Sequence, residues 1–272
     1  MAALRYVPLP HLREARISRF EQGFNKLVDI LQLPALRVLR AGKARCDEYS
    51  TDALAMISAP LGVERIHLED IDADTIGLGR LLAAAPGLKT LSVNWGSQGT
   101  HLLEFGTLGQ TLCARGKNIE SLRLVSTSLG LLLPNPGSHS SIGDLGELAS
   151  MQHLALPHAV LCTSENADEW LGYPRDYLTR VLPRSLRSLD IGEAEPTQSR
   201  EYAEHPNAVT MRNPLDLQLL ELMTDRRYVY VRLITVHRDD NFTCPCDAAV
   251  LGWVEKPGNG SFTLQKRSEE TS

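Results

Sequence analysis

The segment PALRVLRAG (34–42) contains a short pattern of apolar residues that recurs along the chain and decides the fold. An apolar residue is followed by two variable residues, a second apolar residue, one variable residue and a third apolar residue. The pattern occurs seven times, opening at Leu12, Leu36, Val63, Leu88, Ile119, Met151 and Leu186, with a weaker eighth copy at Val231, Ile234 and Val236. Neighbouring openings lie between 24 residues (Leu12 to Leu36) and 35 residues (Met151 to Leu186) apart. Such self-similarity is typical of repeat architectures.

The spacing of apolar residues predicts a strand within each copy and a helix between copies. Alternation of apolar and polar residues inside each copy has the period of two of a strand with one buried face. Phe24, Leu27, Val28 and Leu31 instead have helical spacing, and similar stripes predict helices over 52–57, 74–85, 102–113 and 177–182. One strand and one helix cannot bury both apolar faces alone, so the units must stack. We therefore expect an α/β solenoid of seven to eight irregular units, with a parallel inner sheet and outer helices.

The copies carry a family resemblance. PALRVLRAG (34–42), PGLKTLSVN (86–94), KNIESLRLV (117–125) and RSLRSLDIG (184–192) look like the LxxLxL core of leucine-rich repeats. The irregular, Pro-preceded units and the LPRSLRSLDI phrase are similar to the repeat region of fungal F-box-type proteins, over roughly residues 10 to 238. The resemblance implies a role as the substrate-reading part of a ubiquitin-ligase receptor. It leaves docking to a ubiquitin-ligase core open, because no F-box segment precedes the first copy and the family's Asn after the third apolar residue is mostly absent.

The composition of the chain changes after the last copy of the pattern. We assign residues 1–238 to the leucine-rich-repeat solenoid. Residues 239–272 form a divergent, non-repeat C-terminal cap followed by a disordered tail, and a small hairpin is one structure that the cap could adopt. Cys244-Pro245-Cys246 in this cap could share a metal or form a redox pair, but two ordinary thiols are the simpler interpretation. The sequence predicts no metal site and no cofactor.

Charge and hydropathy limit the classes of partner. The 28 Lys and Arg residues against 33 Asp and Glu residues give a net charge of −5, which argues against nucleic acid as a partner. No apolar stretch approaches the roughly 18 to 20 residues that span a bilayer, and the N-terminus shows no secretory signal. Five cysteines, an odd number, fit reduced thiols. We expect a cytoplasmic or nuclear protein without a membrane partner.

The outward-facing strand positions supply the candidate binding residues. In the predicted sheet, the third and fifth positions of each copy point away from the core and stack into stripes across a concave face. The candidate residues are Arg16, Arg40, Arg65, His67, Ser92, Arg123 and His153. Trp95 near the rim is included as an interface anchor, although core or edge packing is the simpler interpretation of this tryptophan. The arginines predict non-catalytic protein-protein recognition of an acidic partner segment. A polar face that meets only solvent is the alternative, since any exposed sheet face must be polar.

A second hypothesis belongs to another class of function. His153, His158 and Cys162 could form a small-molecule site in an enzyme or a metabolic accessory protein, with a histidine as base and the thiol as nucleophile. The local sequence resembles a strand end followed by a loop, so the leading prediction is that the protein is not an enzyme.

Overall fold

An open, mostly parallel β-sheet connects the described parts of the chain. The computed structural model describes residues 10–20, 23–57, 59–96, 104–126, 141–161, 176–192, 214–237, 252–258 and 261–266. Its strands are β1 (Glu14–Ile17), β2 (Val38–Gly42), β3 (Arg45–Cys46), β4 (Arg65–Ala73), β5 (Thr90–Trp95), β6 (Ser121–Ser126), β7 (His153–Pro157), β8 (Ser188–Gly192), β9 (Leu233–His237), β10 (Trp253–Gly258) and β11 (Ser261–Lys266). The predicted α/β class with a parallel sheet is confirmed.

The strands follow one another across the sheet almost in chain order. The order is β1-β2-β4-β5-β6-β7-β8-β9-β11-β10, and the short strand β3 pairs with β4. All pairs from β1 to β9 are parallel. The hairpin of β10 and β11 adds to β9 in the antiparallel sense. Residues expected in the C-terminal cap therefore extend the same sheet, whereas Cys244 and Cys246 lie outside the described residues.

Short helices follow several of the strands. They are α1 (Val28–Leu31), α2 (Asp52–Ala55), α3 (Thr75–Ala84), α4 (Phe105–Arg115), α5 (His158–Leu161), α6 (Tyr177–Val181) and α7 (Pro214–Thr224), with 3-10 turns at Phe24–Lys26, Tyr49–Thr51 and Arg226–Tyr228. Asp74 caps α3, because its Oδ1 accepts a hydrogen bond of 2.6 Å from the Gly77 N–H. The predicted helix over 74–85 is confirmed. α4 covers most of the helix predicted over 102–113, of which residues 102 and 103 lie outside the described residues. Within the described residues, no helix is both long and apolar enough to cross a membrane.

The strands are aligned so that each position of the apolar pattern forms a row. In the fourth-position row, Leu39 pairs with Ala15 on one side and Ile66 on the other, and the row continues through Leu91 to Ile234. Residues of this row and of the sixth-position row are buried with the apolar residues of the helices in one core. Burial of one sheet face follows from the alternation in the sequence. The third- and fifth-position residues, on the other face, are exposed or half-buried.

The same turn leads into six strands. The N–H of the first patterned residue donates to the carbonyl three residues before it, at 2.9–3.2 Å. These turns close at Leu36, Leu88, Ile119, Met151, Leu186 and Val231. A second feature recurs after the first three patterned segments, where Arg19, Lys43 and Asp70 all have a left-handed backbone, with φ between 53° and 60°. Each occupies the eighth position counted from the opening apolar residue.

A buried tyrosine links the 3-10 turn before β9 to α6. The Tyr228 hydroxyl donates to the Leu182 carbonyl at 2.7 Å and lies 3.0 Å from the Thr179 carbonyl, at the end of α6. Burial raises the pKa of Tyr228 to about 12, although Arg227 opposes the shift. By contrast, Tyr230 is 60% exposed.

We expect Tyr228→Phe to reduce the free energy of unfolding by about 1 kcal/mol at pH 8, because a buried hydrogen bond is lost. A raised folded-state pKa gives stability that is complete below the unfolded pKa near 10 and is lost as the pH rises toward 12. At pH 11 the tyrosine is mostly ionised in the unfolded chain but not in the folded one, so the wild type should lose about 1.4 kcal/mol that the variant keeps. Urea unfolding at pH 8 and pH 11 measures this, with Tyr230→Phe as the control. An equal loss in Tyr228→Phe and the wild type would contradict it.

Candidate functional site

The open face of the sheet, defined here as the third- and fifth-position residues of the strands, collects the predicted binding residues. The fifth-position row joins Arg16, Arg40, His67, Ser92, Arg123, Ala155 and Asp190 on neighbouring strands. The third-position row contains Glu14, Val38, Arg65, Thr90, Ser121, His153 and Ser188. Neighbouring strands are about 4.8 Å apart, so each row is a line of closely spaced side chains.

The first three strands of the open face carry most of its positive charge. Arg40 donates through Nε to Glu14 Oε1 at 3.0 Å, and both side chains are substantially exposed. Arg16 lies beside Arg40 on β1, and Arg65 lies on β4, the other neighbour of β2. No carboxylate of the described residues lies within 4.0 Å of the side-chain nitrogens of Arg16 or Arg65. Two exposed guanidinium groups therefore flank a third that is already paired.

His67 lies opposite Arg40, on the same strand as Arg65, and adds no charge to the arginines at neutral pH. Partial burial lowers the pKa of His67 below its ordinary value of 6.5, and the positive charges of Arg40 and Arg65 lower it further. Glu69 and Glu14 act in the opposite direction but more weakly than the leading causes. The histidine is neutral at pH 7 and provides a hydrogen-bonding group within the basic part of the row.

The C-terminal part of the open face is organised around one carboxylate. Asp190 Oδ1 lies 2.9 Å from His237 Nε2, and Asp190 Oδ2 lies 3.9 Å from Arg123 Nη1. Ala155 separates Arg123 from Asp190 in the row, and its small side chain leaves room for the longer one to reach across β7. Arg123 is therefore partly neutralised, unlike Arg16 and Arg65. The sequence pattern places Arg123, Ala155 and Asp190 in one row, but it predicts neither the ion pair nor the contact with His237.

Of the residues of the enzyme hypothesis, His153 and His158 are not brought together. The His153 ring Nδ1 lies 2.8 Å from Ser188 Oγ on the open face. His158 begins α5, after the last residue of β7, so about 16 Å of strand separates the two positions. Cys162 lies outside the described residues. In the parts of the chain that the structure describes, no three His, Cys, Asp or Glu side chains form a group that could hold a metal ion.

Trp95 is a correction to the predicted site. It is 3% exposed, and its indole Nε1–H donates to the Ala73 carbonyl at 3.1 Å. It occupies the eighth position of its copy, so strand alternation turns its side chain to the same buried face as Leu91 and Val93. An irregularity in β4 between Leu68 and Ile71 places Ile71 opposite Trp95. The tryptophan belongs to the core and is not an interface anchor on the open face.

Comparison with known proteins adds no relative to this picture. The chain matches no model of a known protein family and no curated protein.

Proposed function

We propose that the open face is a non-catalytic recognition surface for an acidic segment of a partner protein. The observation that carries this proposal is the pair Arg16 and Arg65, which lie exposed on either side of Arg40 without a nearby described carboxylate. Guanidinium groups form paired hydrogen bonds with carboxylates, and strands fix their spacing. Ser92 and the neutral His67 add hydrogen-bonding groups beside them.

We further propose that the sheet is built from leucine-rich repeats stacked as a solenoid. The recurring turn before six strands, the in-register rows and the left-handed residues at Arg19, Lys43 and Asp70 support this interpretation. A stacked array offers an extended surface whose residues change without disturbing the core, which suits partner recognition. A role as the substrate-reading part of a ubiquitin-ligase receptor rests on the sequence resemblance alone.

Charge reversal of Arg16 and Arg65 tests the recognition function. We expect Arg16→Glu/Arg65→Glu to weaken binding of a fluorescein-labelled octapeptide of random Asp and Glu at least about tenfold in fluorescence anisotropy, because each lost charged contact contributes about 1.5–3 kcal/mol. The same variant, used as bait, should also fail to capture the partner that the wild type enriches from a lysate. Arg16 and Arg65 serve better than Arg40 and Arg123, because their replacement breaks no described ion pair.

A matched control separates a local contact from the overall charge of the protein. Lys26→Glu/Lys117→Glu makes the same change in net charge at exposed positions away from the open face, on a 3-10 turn and in the turn before β6. This variant should bind the acidic peptide as the wild type does. Equal weakening in both double variants, or in neither, would exclude the open face as the binding surface.

A further inference from the structure

A second line of charged residues lies at the edge where the strands begin. The residue immediately before β2 and before each strand from β4 to β9 donates its N–H to the carbonyl of the residue before the neighbouring strand. Lys266, the last residue of the antiparallel strand β11, continues this line beyond β9. Near the C-terminal end of the sheet, the Arg232 N–H donates to the Arg187 carbonyl at 2.8 Å and the Lys266 N–H donates to the Arg232 carbonyl at 3.0 Å. The line thus places Arg187, Arg232 and Lys266 on neighbouring strands, about 4.8 Å apart. We refer to these three residues as the cationic edge.

In the N-terminal half of the same line, Arg13 and Arg37 are followed by residues of alternating charge. There Glu64 lies between Arg37 and Lys89, 3.7 Å from the Arg37 guanidinium and 3.8 Å from the Lys89 ammonium, and Glu120 follows on the next strand. Along the cationic edge, by contrast, three positive charges follow one another. Within the described ranges, no carboxylate lies within 4.0 Å of their side-chain nitrogens. Repulsion among three adjacent cations costs stability, so a bound anion would relieve it.

Exposed apolar side chains lie next to this edge. Leu233 directly follows Arg232, and its side chain is 38% exposed. Tyr230, two residues before Arg232, is 60% exposed. Val254 lies on β10 opposite Gln265, the neighbour of Leu233 on β11, and is 36% exposed. Leu233 and Val254 thus lie on the open face, beside the start of β9, which Arg232 precedes.

We propose that the cationic edge binds a partner-protein segment that carries a phosphorylated side chain followed by an apolar one. A phosphate monoester has a charge of about −1.5 to −2 and three acceptor oxygens, so it can accept bonds from two neighbouring guanidinium forks at once. The spacing is fixed by the sheet, which suits a compact anion. An extended polyanion is less suitable, because the rest of this acidic chain, with a net charge of −5, repels it. This site does not depend on the acidic-segment function of Arg16 and Arg65. Six strand steps, about 29 Å of sheet, separate Arg40 on β2 from Arg232 before β9.

Two labelled peptide pools test the proposal with the full chain. Each has four random residues on either side of a fixed pair, phosphoserine-leucine in one and serine-leucine in the other. In fluorescence anisotropy at 0.15 M salt, the phosphorylated pool should bind at least about tenfold more tightly than the unphosphorylated pool. Arg187→Gln/Arg232→Gln should remove this preference. Both side chains are exposed, so the thermal unfolding midpoint should stay within a few degrees of the wild type.

Two control variants and two other anions complete the experiment. Lys89→Gln removes a cation from the same line where Glu64 already pairs it, and Arg16→Glu/Arg65→Glu removes the open-face contacts. Both variants should keep the tenfold preference for phosphoserine. Absence of a preference in the wild type, or its persistence in Arg187→Gln/Arg232→Gln, would overturn the proposal. Binding of phosphatidylserine vesicles or single-stranded RNA with equal or higher affinity would also overturn it, because the edge would then recognise an extended polyanion.

Discussion

Replacing Gly77 with alanine is expected to lower the free energy of unfolding by about 3 kcal/mol, the cost of overpacking against rigid backbone. A Cβ atom at Gly77 would lie 1.9 Å from the Cys46 carbonyl oxygen and 2.5 Å from its carbon. These are backbone atoms at the end of β3, so no side chain can turn aside. The first turn of α3 would have to move away from the sheet. This loss exceeds the roughly 1 kcal/mol by which alanine is favoured over glycine within a helix.

Gly79, two residues further along α3, provides the matched control. A Cβ atom there would lie 3.4 Å from the Thr111 methyl group, which is an ordinary van der Waals distance. Gly79→Ala should therefore be neutral or stabilise the protein by up to about 1 kcal/mol. Urea unfolding followed by circular dichroism compares the two variants directly. Similar stabilities for Gly77→Ala and Gly79→Ala would show that α3 does not approach β3 as closely as the structure has it.

The strand order of the fold could be predicted from the sequence because its signal is local. Alternation within each patterned segment decides which side chains are buried, and the recurrence of the segments decides that they lie side by side. The close approach at Gly77 could not be predicted in this way. The sequence shows two glycines in one helical stretch, Gly77 and Gly79, and only the packing of α3 against Cys46 distinguishes them.

The open face was predicted to the level of rows but not of contacts. The rows follow from strand register, which places Arg16 beside Arg40 and Arg123 beside Ala155. The partners of these arginines depend on side-chain reach across strands, as in the contact of Arg123 with Asp190 beyond Ala155. His237 was missed as a neighbour of Asp190, although its position in the weak eighth copy was the available signal. Local patterns thus predict which residues lie on the open face, but only the coordinates show which of its charged side chains contact one another.

Trp95 shows that the alternation of buried and exposed side chains continues beyond the third apolar residue of the pattern. The alternation that places Leu91 and Val93 in the core extends one more step to Trp95, whose side chain is then buried. The prediction of an interface anchor assumes that the alternation ends at Asn94 and that Trp95 lies at the rim. The equivalent residue of the preceding unit, Asp70, has a left-handed backbone and is exposed, so the eighth position does not have one fixed environment.

We expect Trp95→Ala to reduce the free energy of unfolding by about 4 kcal/mol, because it removes a large buried side chain and leaves a cavity in the core. Trp95→Phe should cost less, about 1–2 kcal/mol, since the ring volume is largely kept but the bond from Nε1–H to the Ala73 carbonyl is lost. Ser92→Ala, at a half-buried fifth position of the same strand, should change stability by less than about 0.5 kcal/mol.

Urea unfolding gives the three values, and anisotropy with the acidic octapeptide gives binding at a temperature where each variant is folded. An interface anchor would show the reverse, with stability unchanged and binding lost in Trp95→Phe. Because the indole lies on the covered face, opposite Arg16 and Arg65, we expect Trp95→Phe to bind the peptide with wild-type affinity.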